Sequence, residues 1–201
     1  MKRTSELLRD IAASHEDGEI SIGECVARMG DRSFALAILV FSLPNSLPVP
    51  GIPGFSTITG IPILLIALQI IAGRQSIWLP HRVAEKKFQQ AFLAKIVRKA
   101  LPVVLWLERW LKPRLSFVCE GWGERLIGLL IFVMAAILAL PIVGGNFLPG
   151  FAISLLALSL LEKDGLFASF AISFCVGSIY FMYKIVAYVL GAAMHWLFSL
   201  F

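Results

Sequence analysis

Two long apolar stretches in this chain are each interrupted by a run of proline and glycine, and those interruptions restrict the possible folds more than any other feature. The first stretch, Ser33 to Gly73, is broken by Leu43-Pro44-Asn45-Ser46-Leu47-Pro48-Val49-Pro50-Gly51-Ile52-Pro53-Gly54, with four prolines in ten positions. Proline removes a helix donor and clashes with the preceding turn, so no continuous helix runs through it. The second stretch, Leu126 to Leu161, is broken by Leu140-Pro141-Ile142-Val143-Gly144-Gly145-Asn146-Phe147-Leu148-Pro149-Gly150. About 11 apolar residues precede the first break and about 19 follow it, whereas about 18 precede the second and about 11 follow it.

The two stretches form an internal repeat. Gly30-Asp31-Arg32 opens the first and Gly123-Glu124-Arg125 the second, and both breaks end in Pro-Gly-Phe, at Phe55 and Phe151. A third stretch with little charge runs from Leu166 to Tyr183. All three reach the ~18 to 20 residues needed to span hydrocarbon. With 58% hydrophobic and 15% charged residues, the chain has more apolar surface than one small core can bury, against roughly 25% charged in soluble domains. The rest is expected to face lipid, in an all-α integral membrane fold.

An arm of 11 residues is ~16 Å long, about half the hydrocarbon thickness, so the short arms are expected to end near the midplane in re-entrant, inverted repeats. Lipid cannot satisfy the open backbone of a break, which must then lie within protein or line a wet cavity. Two corresponding breaks point to a transporter-like binding site. The alternative is that each break is an ordinary loop at the membrane surface between two full spans.

The net charge of +5 is unevenly placed. Residues 74–125 hold eleven Lys or Arg and four acidic residues, while residues 1–32 total minus two. A basic segment with Trp106 and Trp110 between apolar stretches favours anionic lipid headgroups over nucleic acid, and places itself and the N-terminus in the cytoplasm. Met1-Lys2-Arg3 is followed by Glu6 and Asp10 rather than by a short apolar core, so no cleavable signal peptide is expected.

Residues 4–29 read as two short helices around a turn at Asp17-Gly18, with Ser21 and Glu24 matching a capping box. Phe88, Phe92 and Ile96 share a helical face beside Lys87, Lys95, Arg98 and Lys99, and Leu101 to Leu111 continues with two tryptophans, which suggests interfacial amphipathic helices. Ser169, Ser173 and Gly177 form a small-residue stripe on a C-terminal transmembrane helix. After Lys184, set among three tyrosines, the last dozen residues are expected to lie along the membrane or turn back into it. The resulting divisions are 1–32 (N-terminal helices), 33–73 (first repeat), 74–125 (basic segment), 126–161 (second repeat) and 162–201 (C-terminal helix and tail).

Gly30-Asp31-Arg32-Ser33-Phe34, Leu43-Pro44-Asn45, Leu47-Pro48-Val49-Pro50, Gly54-Phe55-Ser56-Thr57-Ile58, Ala67-Leu68-Gln69, Gly73-Arg74 and Trp78-Leu79-Pro80 together resemble the ExoD family of bacterial membrane proteins. The match is dense over residues 28–82, and the later Gly-Glu-Arg and Leu-Pro segments extend it over nearly the whole chain. The resemblance implies an inner-membrane protein associated with exopolysaccharide production, and so a process rather than a reaction. The broken hairpins are also similar in shape to those of DedA-type proteins, which are linked to polyprenyl-phosphate lipid recycling; this is an analogy of form, and form does not fix function.

The candidate substrate-binding residues are Arg32, Asn45, Ser56, Thr57, Gln69, Arg125 and Asn146, with Thr59 beside them. Arg32 and Arg125 offer bidentate geometry to a lipid phosphate or, alternatively, snorkel to the headgroups. The uncharged groups either line a polar cavity at the breaks or cap the helices that end there. Half-helices beginning near Phe55 and Phe151 would turn positive dipole ends toward an anion. Asp31 and Glu124 are candidates for ion coupling, and Glu162-Lys163-Asp164 reads as a solvated turn. Cys25, Cys119 and Cys175 are expected as free thiols, and His15, His81 and His195 form no recognisable metal site. Without nucleophile-elbow, zincin or phosphate-loop patterns, neither an enzyme nor a cofactor is expected. Two functions stay open: a homo-oligomeric transporter of an anionic lipid-linked or small ionic substrate, and a non-transporting accessory subunit of polysaccharide synthesis or export machinery.

Overall fold

The computed structural model describes residues 4–13, 19–47, 54–89, 97–98, 101–102, 104–106, 108–109, 111, 114–140 and 146–199. In chain order these form α1 (Thr4–Ala13), β1 (Glu19–Ser21), α2 (Ile22–Met29), α3 (Arg32–Ser42), α4 (Phe55–Ile71), the single turn α5 (His81–Ala84), β2 (Lys87–Gln89), α6 (Trp122–Ala139), α7 (Phe147–Glu162) and α8 (Gly165–Ser199). Short 3-10 turns follow α3 at Leu43–Ser46 and precede α6 at Ser116–Cys119. The fold is thus almost wholly helical.

The N-terminal helices start where local chemistry sets them. Ser21 Oγ accepts a hydrogen bond from the Glu24 backbone N–H at 3.1 Å and so caps α2, as the Ser-x-x-Glu spacing predicts. The Glu24 carboxylate does not complete the box with the Ser21 amide in this arrangement; it accepts from Arg28 Nη2 at 2.8 Å, one turn ahead. The expected turn at Asp17-Gly18 lies outside the described residues.

Each repeat folds as a helical hairpin, α3–α4 and α6–α7. The hairpins pack with α4 along α6 and α3 along α7, while α8 lies against α7. Helix α7 is therefore central: Ala152, Ile153, Leu156 and Ala157 are fully buried, together with Ile38 of α3, Ile63 and Ala67 of α4, and Ile127, Ile131, Met134 and Leu138 of α6. A helix apolar on all sides needs such an all-round coat, from protein or from lipid.

The second repeat departs from the expected half-depth arm. Helix α7 has 16 residues, not about 11, because it starts at Phe147 within the break and takes Pro149 and Gly150 into its first turn. Proline is tolerated there because a first-turn N–H has no intrahelical acceptor to lose. At 1.5 Å per residue α7 is about 24 Å long and α4, with 17 residues, about 26 Å. Helix α3 keeps its expected 11 residues.

The helices Trp122–Ala139 and Gly165–Tyr188 are long and apolar enough to cross a membrane, and only 33% of an 18-residue apolar window in each is buried within the protein. Their free faces carry Leu126 and Leu129 on α6, and Leu166, Phe170, Val176 and Phe181 on α8. Helix α4 likewise exposes Ile58, Ile61, Leu65 and Leu68 along one side.

Two expectations about local structure are corrected, and the face of a third is fixed. Phe88 lies in a strand, β2, which pairs antiparallel with β1 in the register Ile20 opposite Phe88, so it is on no helix face; Phe92 and Ile96 lie outside the described residues. Pairing between segments almost seventy residues apart overrides the local helical spacing. The stripe of Ser169, Ser173 and Gly177 is exposed, and the inward face of α8 is Ala168, Ala171, Cys175, Ser178 and Met182. Finally, no turn follows Lys184: α8 continues to Ser199 as one helix of 35 residues, about 52 Å long.

Candidate functional site

Both hairpins begin and end on the same side, so the two repeats run in the same sense rather than inverted as expected, and the polar groups fall into two clusters at opposite ends of the bundle. One is a seam at the breaks and the other a charged end where α3 and α6 start and α4 and α7 stop.

At the seam, the asparagines of the two breaks converge on the first turn of α4. Asn45 Nδ2 donates to Thr59 Oγ1 at 2.9 Å and to the Phe41 carbonyl at 3.0 Å, and Asn146 Nδ2 donates to Ser56 Oγ at 2.9 Å. Thr57 Oγ1 donates across to the Ala139 carbonyl at 2.8 Å, tying α4 to the end of α6. Three hydroxyls that the sequence reading passed over complete the seam: Ser154 of α7 lies 2.7 Å from Ser42 Oγ and 2.8 Å from Ser46 Oγ. The available signal was that these are isolated hydroxyls in otherwise apolar helices, Ser42 and Ser46 being one turn apart. The breaks can meet because Gly150 lacks a side chain: a Cβ there would lie 2.8 Å from the Asn45 carbonyl carbon and from its Cβ.

The seam also holds an unpaired acceptor. Asn146 Oδ1 is buried and has no hydrogen-bond partner. Leaving such a group unsatisfied costs on the order of 1–3 kcal/mol, which marks it as a place where a donor could be received.

Gln69 does not belong to this seam. Fourteen residues beyond Phe55 on a rigid helix it sits about 21 Å away, where its Oε1 accepts from the Trp78 backbone N–H at 2.6 Å. It fixes the turn after α4 instead.

At the charged end the matching triplets split their roles. The acidic members, Asp31 and Glu124, are brought into electrostatic reach of each other beside Lys163. Lys163 Nζ lies 3.6 Å from Asp31 Oδ2 and 3.4 Å from Glu120 Oε1, with its side chain only 14% exposed. The arginines diverge. Arg125 lies over the Trp122 ring at 5.3 Å and against Gly73, where a Cβ would be 2.6 Å from its Nη2; Arg32 Nη1 is buried without a partner.

Glu162-Lys163-Asp164 is thus no solvated turn. Lys163 takes a left-handed backbone (φ 51°), ending α7, and Asp164 is buried at 5% exposure. Asp164 Oδ1 accepts from the backbone N–H groups of Leu166 and Phe167 at 3.0 and 3.1 Å, an N-cap for α8. Asp164→Ala is expected to destabilise the protein by about 1–2 kcal/mol, with Asp164→Ser close to wild type; thermal melting of both variants in detergent checks this, and an unaltered midpoint for alanine would remove the capping role.

The three cysteines are free, as expected, and all three are buried. Burial, then the nearby Asp164 carboxylate, pushes the Cys119 thiol up to about 11, so it stays protonated at neutral pH. Among the described residues no group of three or more His, Cys, Asp or Glu could hold a metal ion.

The family described as "Exopolysaccharide synthesis, ExoD" matches residues 4–184, from the first residue of α1 well into α8. The chain belongs to the ExoD family. It is 35% identical over 182 residues to Protein ExoD of Rhizobium meliloti, a match covering 88% of this chain and 75% of that protein. It is 34% identical over 178 residues to the uncharacterized protein slr1875 of Synechocystis sp., covering 88% of this chain and 84% of that one. No solved structure matches it. The ExoD match includes both hairpins, the seam and the charged end, and links the chain to exopolysaccharide synthesis.

Proposed function

We propose that this ExoD-family chain is a multi-pass protein of the bacterial inner membrane that serves exopolysaccharide production by moving an anionic lipid-linked or small ionic substrate between its two broken hairpins. The observation that carries this reading is the seam, where both breaks meet inside an otherwise apolar bundle around Ser56 and Thr59, with the Asn146 acceptor still unpaired. In lipid, broken backbone is tolerated where protein or a polar path covers it, and paired breaks in two repeats recur at midplane substrate sites. The hairpins, about 24–26 Å deep against ~30 Å of hydrocarbon, would enter from the same side as parallel rather than inverted repeats and end short of the opposite surface.

On this reading no covalent step is involved and no enzymatic activity or cofactor is needed. The basic segment and N-terminus lie in the cytoplasm, where their Lys and Arg meet anionic lipids, polyprenyl phosphates among them. The chain forms a homo-oligomer, because two hairpins and one long helix enclose little polar volume, and the exposed small residues of α8 allow close helix contact.

A second reading has its own support: every other seam side chain described above already has a hydrogen-bond partner, as expected of helix ends that are merely closed. The chain would then be an accessory subunit that docks synthesis or export machinery through its basic surface. Single-cysteine labelling on a cysteine-free background, at positions 29, 50, 78, 146 and 164 in intact and permeabilised cells, together with polysaccharide output, separates the two. The transport reading expects positions 50 and 146 protected, and Asn146→Leu reducing output at least about 10-fold at unchanged protein level. External labelling of 50 and 146, with output sensitive at Lys86 or Arg98 instead, would overturn it.

A further inference from the structure

We propose that the hollow between α1, the α2–α3 junction and the end of α7 is a binding site for a phosphate-type anion, with Arg32 as its principal ligand. Its volume is about 360 Å³, and Arg28, Arg32 and Lys163 line it together with Asp31 and an apolar wall that includes Leu7 and Met29. It lies at the charged end of the bundle, opposite the seam, so it stands or falls separately from the transport reading.

Three cations from three elements converge on this hollow, but two already have carboxylates. Arg28 Nη2 is 2.8 Å from Glu24 Oε1, and Lys163 is shared between Asp31 and Glu120. Arg32 is different: its Nη1 is buried without a partner, although Asp31 is its immediate neighbour. A guanidinium presents several fixed donors in one plane, matching two oxygens of a phosphate, and it cannot neutralise itself by losing a proton. Burying one of those donors unpaired is unfavourable unless an acceptor arrives.

The surrounding backbone favours the same charge. Arg32 is the first residue of α3, an 11-residue helix, so the positive end of the helix dipole lies beside the guanidinium, although the Ser33 and Phe34 N–H groups already donate to the Gly30 and Asp31 carbonyls. Lys163 reaches the site from a left-handed backbone position at the end of α7. Among the described residues that line the hollow Asp31 is the acidic one; it lies 3.6 Å from Lys163 Nζ, and an incoming anion would compete with it.

The shared chemistry is a phosphate ester or diphosphate, from a soluble metabolite or from a lipid headgroup whose chains rest on the apolar wall. The test uses the full chain in neutral detergent at low ionic strength, titrated with inorganic pyrophosphate, and in nanodiscs of phosphatidylcholine with and without phosphatidate. Arg32→Gln is expected to weaken pyrophosphate binding at least about 10-fold, Arg32→Lys less, and Asp31→Asn to tighten it; Arg74→Gln, outside the hollow, is expected to change nothing. The ligand-free midpoint of Arg32→Gln is expected to match or exceed the wild type, because an unpaired buried donor is removed. Binding that depends on Arg32 only with phosphatidate identifies a lipid headgroup. Binding indifferent to Arg32 with both probes, an equal response at Arg74, or a ligand-free Arg32→Gln that melts well below wild type would overturn the proposal.

Discussion

Gly150→Val is expected to push the two breaks apart and lower the thermal midpoint of the purified protein by about 10 °C. A Cβ at this position meets the Asn45 backbone and Cβ at 2.8 Å, closer than side-chain carbons approach, and two further carbons follow it in valine. Neither side can give way easily. Gly150 is in the first turn of the buried helix α7, and Asn45 is fixed in its 3-10 turn by hydrogen bonds to Phe41 and Thr59. Overpacking of this kind costs about 3 kcal/mol, and at roughly 2–4 °C per kcal/mol for a chain of this size the shift follows. Gly191→Ala is the control: it is helical, exposed and free of neighbours within 4 Å, so alanine should be neutral or slightly stabilising. Equal midpoints for both variants would show that the contact between the breaks does not hold the hairpins together.

This contact shows what sequence reasoning could and could not reach. The breaks were legible because proline and glycine act on the residues beside them, and Asn45 and Asn146 stood out as polar residues within those breaks. Their convergence on one turn of α4 was not legible, since it depends on how one hairpin packs against the other. Gln69 was misplaced because nearness to a break was judged along the chain, while fourteen residues of rigid helix carry it about 21 Å away. Lys163 and Asp164 were misread for a related reason: a short charged turn has the same sequence whether it meets water or closes over a neighbouring helix end. Only the packing of α7 against α3 and α8 shows that this turn is buried and joins the two repeats.

Asn45→Asp is expected to be more damaging than its size suggests, by about 3–5 kcal/mol, because it inserts a charge without changing shape. Asn45 is 8% exposed, and both of its hydrogen bonds are made through Nδ2 as donor. A carboxylate oxygen in that place would face the Phe41 carbonyl oxygen and could not donate to it. Among the described residues, the partly buried cations Arg32 and Lys163 belong to the opposite end of the bundle. Asn45→Leu, similar in volume and uncharged, loses the same two bonds without the charge, and is expected to cost about 1–2 kcal/mol. The difference between the two variants, measured by thermal melting in one detergent, therefore reports how dry the seam is. A large difference requires an interior without mobile water or counter-ions, and equal midpoints would mean that the seam is already wet. Polysaccharide output adds the functional half. If Asn45→Leu folds and output falls, the asparagine contributes to handling the substrate; if output persists, its bonds to Phe41 and Thr59 serve only to close the break.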